Sequence, residues 1–421
     1  MKNAGAGILV SGALDEIAWL FNIRGSDVPC NPVTISYAVV TTNDAYLFID
    51  ENKLSAEVNQ HLLDSNVKIL PYDSTFETVS RLSKEDSLKV WLDEKTINYA
   101  LFTMTERSDE DIIKTESPIV LMKSCKNEEE LNGLRSCHIR DGAAVAEFMC
   151  WLENEVKKRE VSEVEIDQVI TAKRAEFSPG LFIEPSFPTI AGVNSNGAIV
   201  HYSAVPETCK MLGANDMLLL DSGGQYLDGT TDVTRTIHTG TPSDYQKEMY
   251  TRVLKGNIGL DSRIFPEGTA GCVLDTYARE HLWSIGKDYL HGTGHGVGAA
   301  LNVHEGPQRI SRILDPHPLM PGMVVSNEPG YYESGNFGIR IENLLIVKEK
   351  NELDSFAGKS FLGFEKLTKI PIQIKCINKN LLTPIETEWI NNYHAEVKAQ
   401  VMPLIKTNEA RQWLEDATSA L

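Results

Sequence analysis

The sequence predicts an α/β domain followed by an α+β domain, and three observations carry that expectation. At 421 residues the chain exceeds one ordinary domain, so two are expected, each burying its own core. Residues 1 to about 120 alternate short apolar runs with amphipathic stretches, as α/β units do. From Asn127 onward two capped helices come first, and strand-and-turn patterning takes over at Phe187. A boundary near residues 123–126 divides the chain into domains of 1–122 and 123–421.

In the first domain, 7–10 reads as a strand and 14–21 as a helix, and 37–41 and 46–49 flank Asn43-Asp44 as a hairpin. The runs 54–63, 67–70, 75–82, 88–92, 97–104 and 118–122 continue the alternation. No phosphate loop or metal-ligand spacing occurs there. The sheet opens with no element before its first strand, which reads as an incomplete domain. In the second domain Asn127 and Glu130 form a capping box that opens a long amphipathic helix through Leu134, Phe148 and Leu152. Ser162 and Glu165 form a second box, and Ser243 with Gln246 caps a third helix. A further helix covers about 271–285, strands are expected at 344–347 and near 370–374, and a last helix at about 386–405.

Composition narrows the function classes. The hydrophobic fraction of 42% and charged fraction of 24% fit a soluble globular protein. Forty basic against 59 acidic residues give a net charge of −19 without an acidic tail, which excludes nucleic acid as the expected partner and leaves acid to spare for metal. The seven cysteines are odd in number and form no CxxC pair, so they read as reduced thiols of a cytoplasmic protein. The opening apolar run is too short for a signal peptide or a membrane span, and no membrane partner is expected.

Chemistry concentrates around one stretch. Met217-Leu218-Leu219-Leu220 runs straight into Asp221, a Gly-rich turn follows, and a second run alternates Asp232, Thr234 and Thr236 against Val233, Arg235 and Ile237. Folded near Tyr226, this hairpin brings Asp221 and Asp232 within cross-strand reach if they share a face. Two carboxylates held that close repel, so one stays protonated unless a cation lies between them. Taken alone, the pair reads as an ordinary exposed hairpin. Three more segments repeat the logic. His295 lies among glycines, Glu328 ends the run Met323-Val324-Val325, and Glu342 ends an alternating strand. Each singly has a dull reading as structural histidine, turn cap or surface acid. Together Asp221, Asp232, His295, Glu328 and Glu342 are five metal-type ligands at strand ends or glycine turns, a set that suits two divalent cations. One imidazole among four carboxylates favours manganese, with iron, cobalt or zinc as alternatives. Two such ions can share a hydroxide and clamp a carbonyl oxygen, as in hydrolytic two-metal sites.

These motifs resemble those of the pita-bread metallopeptidases. The wording "DSGGQYLDGTTDVTRT", "HGTGHGVGAALNVHEGP", "NEPGYYESGNFGIRIEN" and "WINNYH", with "LDEIAWLFNIRG" in the first domain, is most similar to the eukaryotic cytosolic Xaa-Pro aminopeptidases. The resemblance implies a partial α/β creatinase-like domain followed by a pita-bread catalytic domain, in a family whose members carry a leading domain that this sequence lacks. It implies hydrolysis of the bond between an N-terminal residue and a penultimate proline, by a hydroxide shared between two metal ions, in a homodimer. By motif, Asp221 binds one ion, Asp232 and Glu342 bridge, and His295 and Glu328 bind the second, with Glu328 also shuttling the proton. His201, His291 and His304 are similar to histidines that position the peptide carbonyl, and Arg340 and Tyr332 to residues that hold the ligands. His238, His281, His317 and His394 receive no role. A prolidase acting on Xaa-Pro dipeptides, or a peptidase-like binding protein without catalysis, are the alternatives.

Overall fold

Leu47 and Phe48 are neighbours in the strand Ala45–Ile49 and both are fully buried, which requires that both faces of their sheet be covered. The structure, a computed structural model, describes residues 1–85, 89–105 and 111–421. They divide into the units Met1–Lys123 and Ser124–Leu421. In the first, the described residues form a six-stranded sheet ordered Val67–Pro71, Ala45–Ile49, Tyr37–Thr41, Ala6–Ser11, Lys89–Leu92 and Ile112–Ile113. The hairpin Tyr37–Thr41 with Ala45–Ile49 is antiparallel, closed by the Asp44 N–H donating to Thr41 Oγ1 at 2.9 Å. The outer pairings are parallel, as crossover helices demand. Phe48, Ile8 and Val39 pack on one face, and Leu47, Ile49 and Ile17 on the other. Leu88, expected to start the fifth strand, lies outside the described residues.

The second unit opens with the helix Glu128–Glu155, and its capping box is complete: Asn127 Oδ1 accepts from the Glu130 N–H, and Glu130 Oε2 from the Asn127 N–H. The box expected at Ser162 is half formed. Ser162 Oγ accepts from the Glu165 N–H, but the Glu165 carboxylate turns away to the Arg159 guanidinium, at 2.5 and 2.8 Å. A charge-assisted pair outcompetes a neutral N–H for that carboxylate. Ser243 and Gln246 cap the helix Asp244–Asp261 as expected.

Two further expectations fail for identifiable reasons. The apolar stretch 370–374 belongs to no sheet. Pro371 has no N–H to give a neighbour, and the carbonyls of Ile370 and Pro371 are taken by the buried Arg235 guanidinium, at 2.8 and 3.1 Å. The final helix does not run through to 405: Pro384–Val401 stops ahead of Pro403, and a separate helix Asn408–Ala417 follows.

Around these helices lie the strands that matter for the site. Met217–Ser222 is the middle strand of a sheet with Ile190–Val193 and Val233–His238. Val324–Asn327 pairs antiparallel with Asn343–Glu349 and contacts Gly294–Gly296. Phe337–Arg340 pairs with Gly330–Glu333.

Candidate metal centre

The register explains why acids end these strands. Asp221 lies directly across from Thr234, so strand alternation puts Asp232, two residues earlier, on the same face. The hairpin is real but does not continue straight to its turn. Beyond Ser222 the chain enters a second small sheet, in which Gly224–Tyr226 pairs with Gly229–Thr230 and Phe182–Pro185. On the neighbouring sheet Asn327 pairs with Asn343, so one step further Glu328 and Glu342 leave their strands side by side. His295 comes in on the adjacent strand because Gly294 has no Cβ, which would collide with the Ser326 carbonyl.

The ligand atoms of Asp221, Asp232 and Glu342 lie within 4.8 Å of one another, and so do those of His295, Glu328 and Glu342. His295 Nε2 is 3.5 Å from both Asp232 Oδ2 and Glu328 Oε1. All five residues line one cavity of about 550 Å³, together with His201, His291, His304 and Arg340. Tyr332 does not line it, but its hydroxyl bonds two residues that do, His291 and Arg340. Arg340 donates to Asp221 Oδ2 at 2.6 Å, to Thr234 Oγ1 at 3.1 Å and to the Tyr332 hydroxyl at 2.7 Å. Thr234 in turn donates to Glu342 Oε2 at 2.8 Å. Ser326 Oγ accepts from the His295 N–H at 3.0 Å and donates to Glu328 Oε1 at 3.1 Å. Thr234 and Ser326 were not singled out in the sequence. The alternation with Asp232 marks the face of Thr234, whereas nothing in the sequence distinguishes Ser326.

Electrostatics show what such crowding costs. Burial raises the Asp232 and Glu342 carboxyls, and neighbouring carboxylates raise them further. Burial lifts Glu328 to about 7 against the pull of His295 and Arg340. His295 moves the other way: burial would lower it, but the carboxylates of Asp232 and Glu328 outweigh burial and bring it to about 9. Its Nδ1 faces the Gly296 carbonyl at 2.9 Å, so that nitrogen donates and Nε2 points at the acids. Asp221 Oδ1 is buried and has no hydrogen-bond partner among the described residues. An orphaned carboxylate oxygen, acids held up by mutual repulsion and an imidazole Nε2 aimed into their midst are what divalent cations would relieve, so the residues fit a metal pair.

The histidines divide. His304 packs edge-to-face on His295, with centroids 4.2 Å apart, and burial lowers it to about 4. His291 is also lowered by burial to about 4, but both its nitrogens are engaged, Nδ1 with the Gly292 carbonyl and Nε2 with the Tyr332 hydroxyl. It meets a ligand only by exchanging the Tyr332 bond. Its loop is locked from behind by the buried Arg279, which donates to the Tyr289 and His291 carbonyls and pairs with Asp275. His394 is structural, accepting from the Ile372 N–H at 3.1 Å.

Residues 132–349 match metallopeptidase family M24. The chain belongs to that family. Residues 1–130 match the creatinase/prolidase N-terminal domain and 360–421 the C-terminal region of M24 peptidases, so the fold is a creatinase-type domain followed by a pita-bread domain. Among M24 relatives, aminopeptidase P2 of Arabidopsis thaliana is 45% identical across 100% of this chain and 63% of its own length. A probable Xaa-Pro aminopeptidase P of Sclerotinia sclerotiorum is 47% identical, covering 98% of this chain and 70% of its own length. The chain thus spans about two thirds of the curated relatives it matches. The crystal structure of an X-prolyl aminopeptidase from Caenorhabditis elegans, described as a cytosolic enzyme with a di-nuclear active site, superposes with a TM-score of 0.94 at 36% identity, over 100% of this chain and 69% of that one. A prolidase from Pyrococcus furiosus shares the fold, with a TM-score of 0.66 at 23% identity, over 87% of this chain and 98% of its own.

Proposed function

We propose that this chain is a metalloaminopeptidase that releases the N-terminal residue from peptides with proline second. The observation that supports it most is the convergence of Asp221, Asp232, His295, Glu328 and Glu342 in one cavity that is also lined by the apolar Phe187, Pro188, Ile190 and Val200. Asp221 would hold one divalent ion, His295 and Glu328 a second, with Asp232 and Glu342 shared, and manganese is the metal we assign. Such a pair supplies Lewis acidity toward a carbonyl and activates water at neutral pH. Glu328, poised at about 7, takes a proton from water and returns it to the leaving amine. His201 and His304 stand at the cavity where a carbonyl oxygen gains charge, and can donate to it. Arg340 and Tyr332 keep Asp221 and His291 in place.

One feature favours longer peptides over dipeptides. Arg340 is the one Lys or Arg among the described lining residues, and its guanidinium is committed to Thr234, Tyr332 and Asp221, leaving no lysine or arginine of the lining for a nearby substrate carboxylate. That favours an aminopeptidase over a prolidase. All seven cysteines are free thiols, which fits the cytoplasmic location we assign. No helix of the described residues is long and apolar enough to cross a membrane. The homodimer rests on the family resemblance and is tested by native mass measurement.

A manganese-loaded sample given an Xaa-Pro-Yaa tripeptide, an Xaa-Pro dipeptide and a Met-Ala peptide tests the reading. The tripeptide is cleaved fastest and Met-Ala is untouched. Faster dipeptide cleavage moves the assignment to prolidase, and no cleavage of any of the three removes the catalytic reading. His304→Ala lowers the rate while metal content stays near wild type.

A further inference from the structure

Between Ala198 and Lys210 the chain leaves its sheet, with Ile199 54% exposed and His201, Ser203 and Glu207 in solvent. Segments of this kind have few apolar contacts to fix them. Yet this one supplies Val200, His201, Tyr202 and Ser203 to the cavity. Its base is firm. The turn Asn194–Ala198 lays Gly197 against Gly192 and Gly338, where a Cβ on either partner would run into the Gly197 backbone. The rest converges on one side chain.

Glu163, fully buried, is the first residue of the helix Glu163–Phe177. Its Oε1 accepts from the Val193 N–H at 2.7 Å and from Asn196 Nδ2 at 3.0 Å. Its Oε2 accepts from the Tyr202 hydroxyl and the Lys210 N–H, each at 2.7 Å. Asn196 Nδ2 also lies 2.9 Å from the Tyr202 hydroxyl. Donors from before, within and after the loop are thus gathered on a single carboxylate. An acid is favoured at a helix start by the dipole alone, but that preference does not account for the Asn196 and Tyr202 contacts. A glutamine there would set its own N–H groups against one pair of these donors, because an amide has one accepting oxygen where a carboxylate has two.

We propose that Glu163 is a positioning residue that sets the placement of the His201 loop at the cavity wall, an inference that rests on the peptidase reading. The test combines hydrogen exchange of the full chain and its Glu163→Gln and Tyr202→Phe variants with kcat/KM for the tripeptide, measured with His201 intact and in a His201→Ala background. Exchange across 199–209 accelerates in both variants, more in Glu163→Gln, while the strand Met217–Ser222 and the metal content are unchanged. With His201 present, Glu163→Gln lowers kcat/KM by about tenfold or more, and by less than about twofold once His201 is alanine. Unchanged exchange across 199–209 in both variants overturns the proposal, and so does an equal loss of kcat/KM in the two backgrounds. If Glu163→Gln fails to fold, Tyr202→Phe, which removes one of the carboxylate's donors, decides by exchange. A wild-type chain that leaves the tripeptide intact overturns the peptidase reading instead, and the exchange result still decides the loop.

Discussion

Each unit buries acid, and the two solve the problem differently. In the first, Glu16 is 2% exposed, and its Oε2 accepts from the Ser11 and Ser117 hydroxyls at 3.0 and 2.7 Å. Burial raises its pKa, but one acid has two donors of its own. In the cavity of the second, the acids outnumber the donors aimed at them. Arg340 serves Asp221, Thr234 serves Glu342 and Ser326 serves Glu328, and Asp221 Oδ1 is left without a partner among the described residues. A buried acid that is satisfied belongs to the architecture. A cluster that is not satisfied calls for a cation from outside the chain.

This contrast breaks most sharply at Asp232 and Glu342, the two acids proposed to be shared between the ions. Asp232→Ala and Glu342→Ala each lower metal affinity and turnover by more than about 100-fold, above the range seen for residues that only orient ligands. Metal analysis beside a peptidase assay checks both. Thr234→Val and Ser326→Ala remove orienting hydroxyls and lower metal affinity about 10–100-fold, read by competition with a chelator.

The pH dependence with and without metal probes the cavity acids without mutation. In the metal-free chain Glu328 rises from an ordinary 4.5 to about 7, and Asp232 and Glu342 rise as well. A raised acid binds more protons folded than unfolded, so its stabilisation is complete below the unfolded pKa and is lost as pH climbs through the folded one. His295, raised from 6.5 to about 9, has the same sign. Thermal unfolding of the second unit should therefore occur at progressively lower temperature between about pH 4.5 and 9 when metal is stripped. Saturating metal should cancel that fall and move this transition upward, because the ion binds the folded state. A single transition unmoved by chelation would contradict this. The smallest effect belongs to Glu16→Gln, whose amide oxygen still accepts both hydroxyls. Stability changes by about 1 kcal/mol and metal content not at all, as chemical denaturation and metal analysis would show.

The contrast also explains what could be read from the sequence. Strands such as Ala45–Ile49 and Met217–Ser222 announce themselves by local apolar pattern, and Asp221 and Glu328 stand out because they end such runs, His295 because it lies among glycines. The expected strand at 370–374 fails because a distant side chain, Arg235, claims its carbonyls. The box at Ser162 is halved by Arg159. Nothing in the sequence distinguishes Glu163 from any acid at a helix start, and its partners Val193, Asn196, Tyr202 and Lys210 lie 30 to 47 residues further along the chain. Local pattern is legible in sequence. Long-range hydrogen bonding becomes visible only once the chain is folded.

The central claim is that the unsatisfied acids of the second unit hold two divalent cations. Crystals of the manganese-loaded chain, measured at the metal's absorption edge, test it most directly. Two anomalous peaks are predicted, one beside Asp221 and one beside His295 and Glu328, with Asp232 and Glu342 between them. No peak among these residues, or a single peak in contact with all five, would contradict the account.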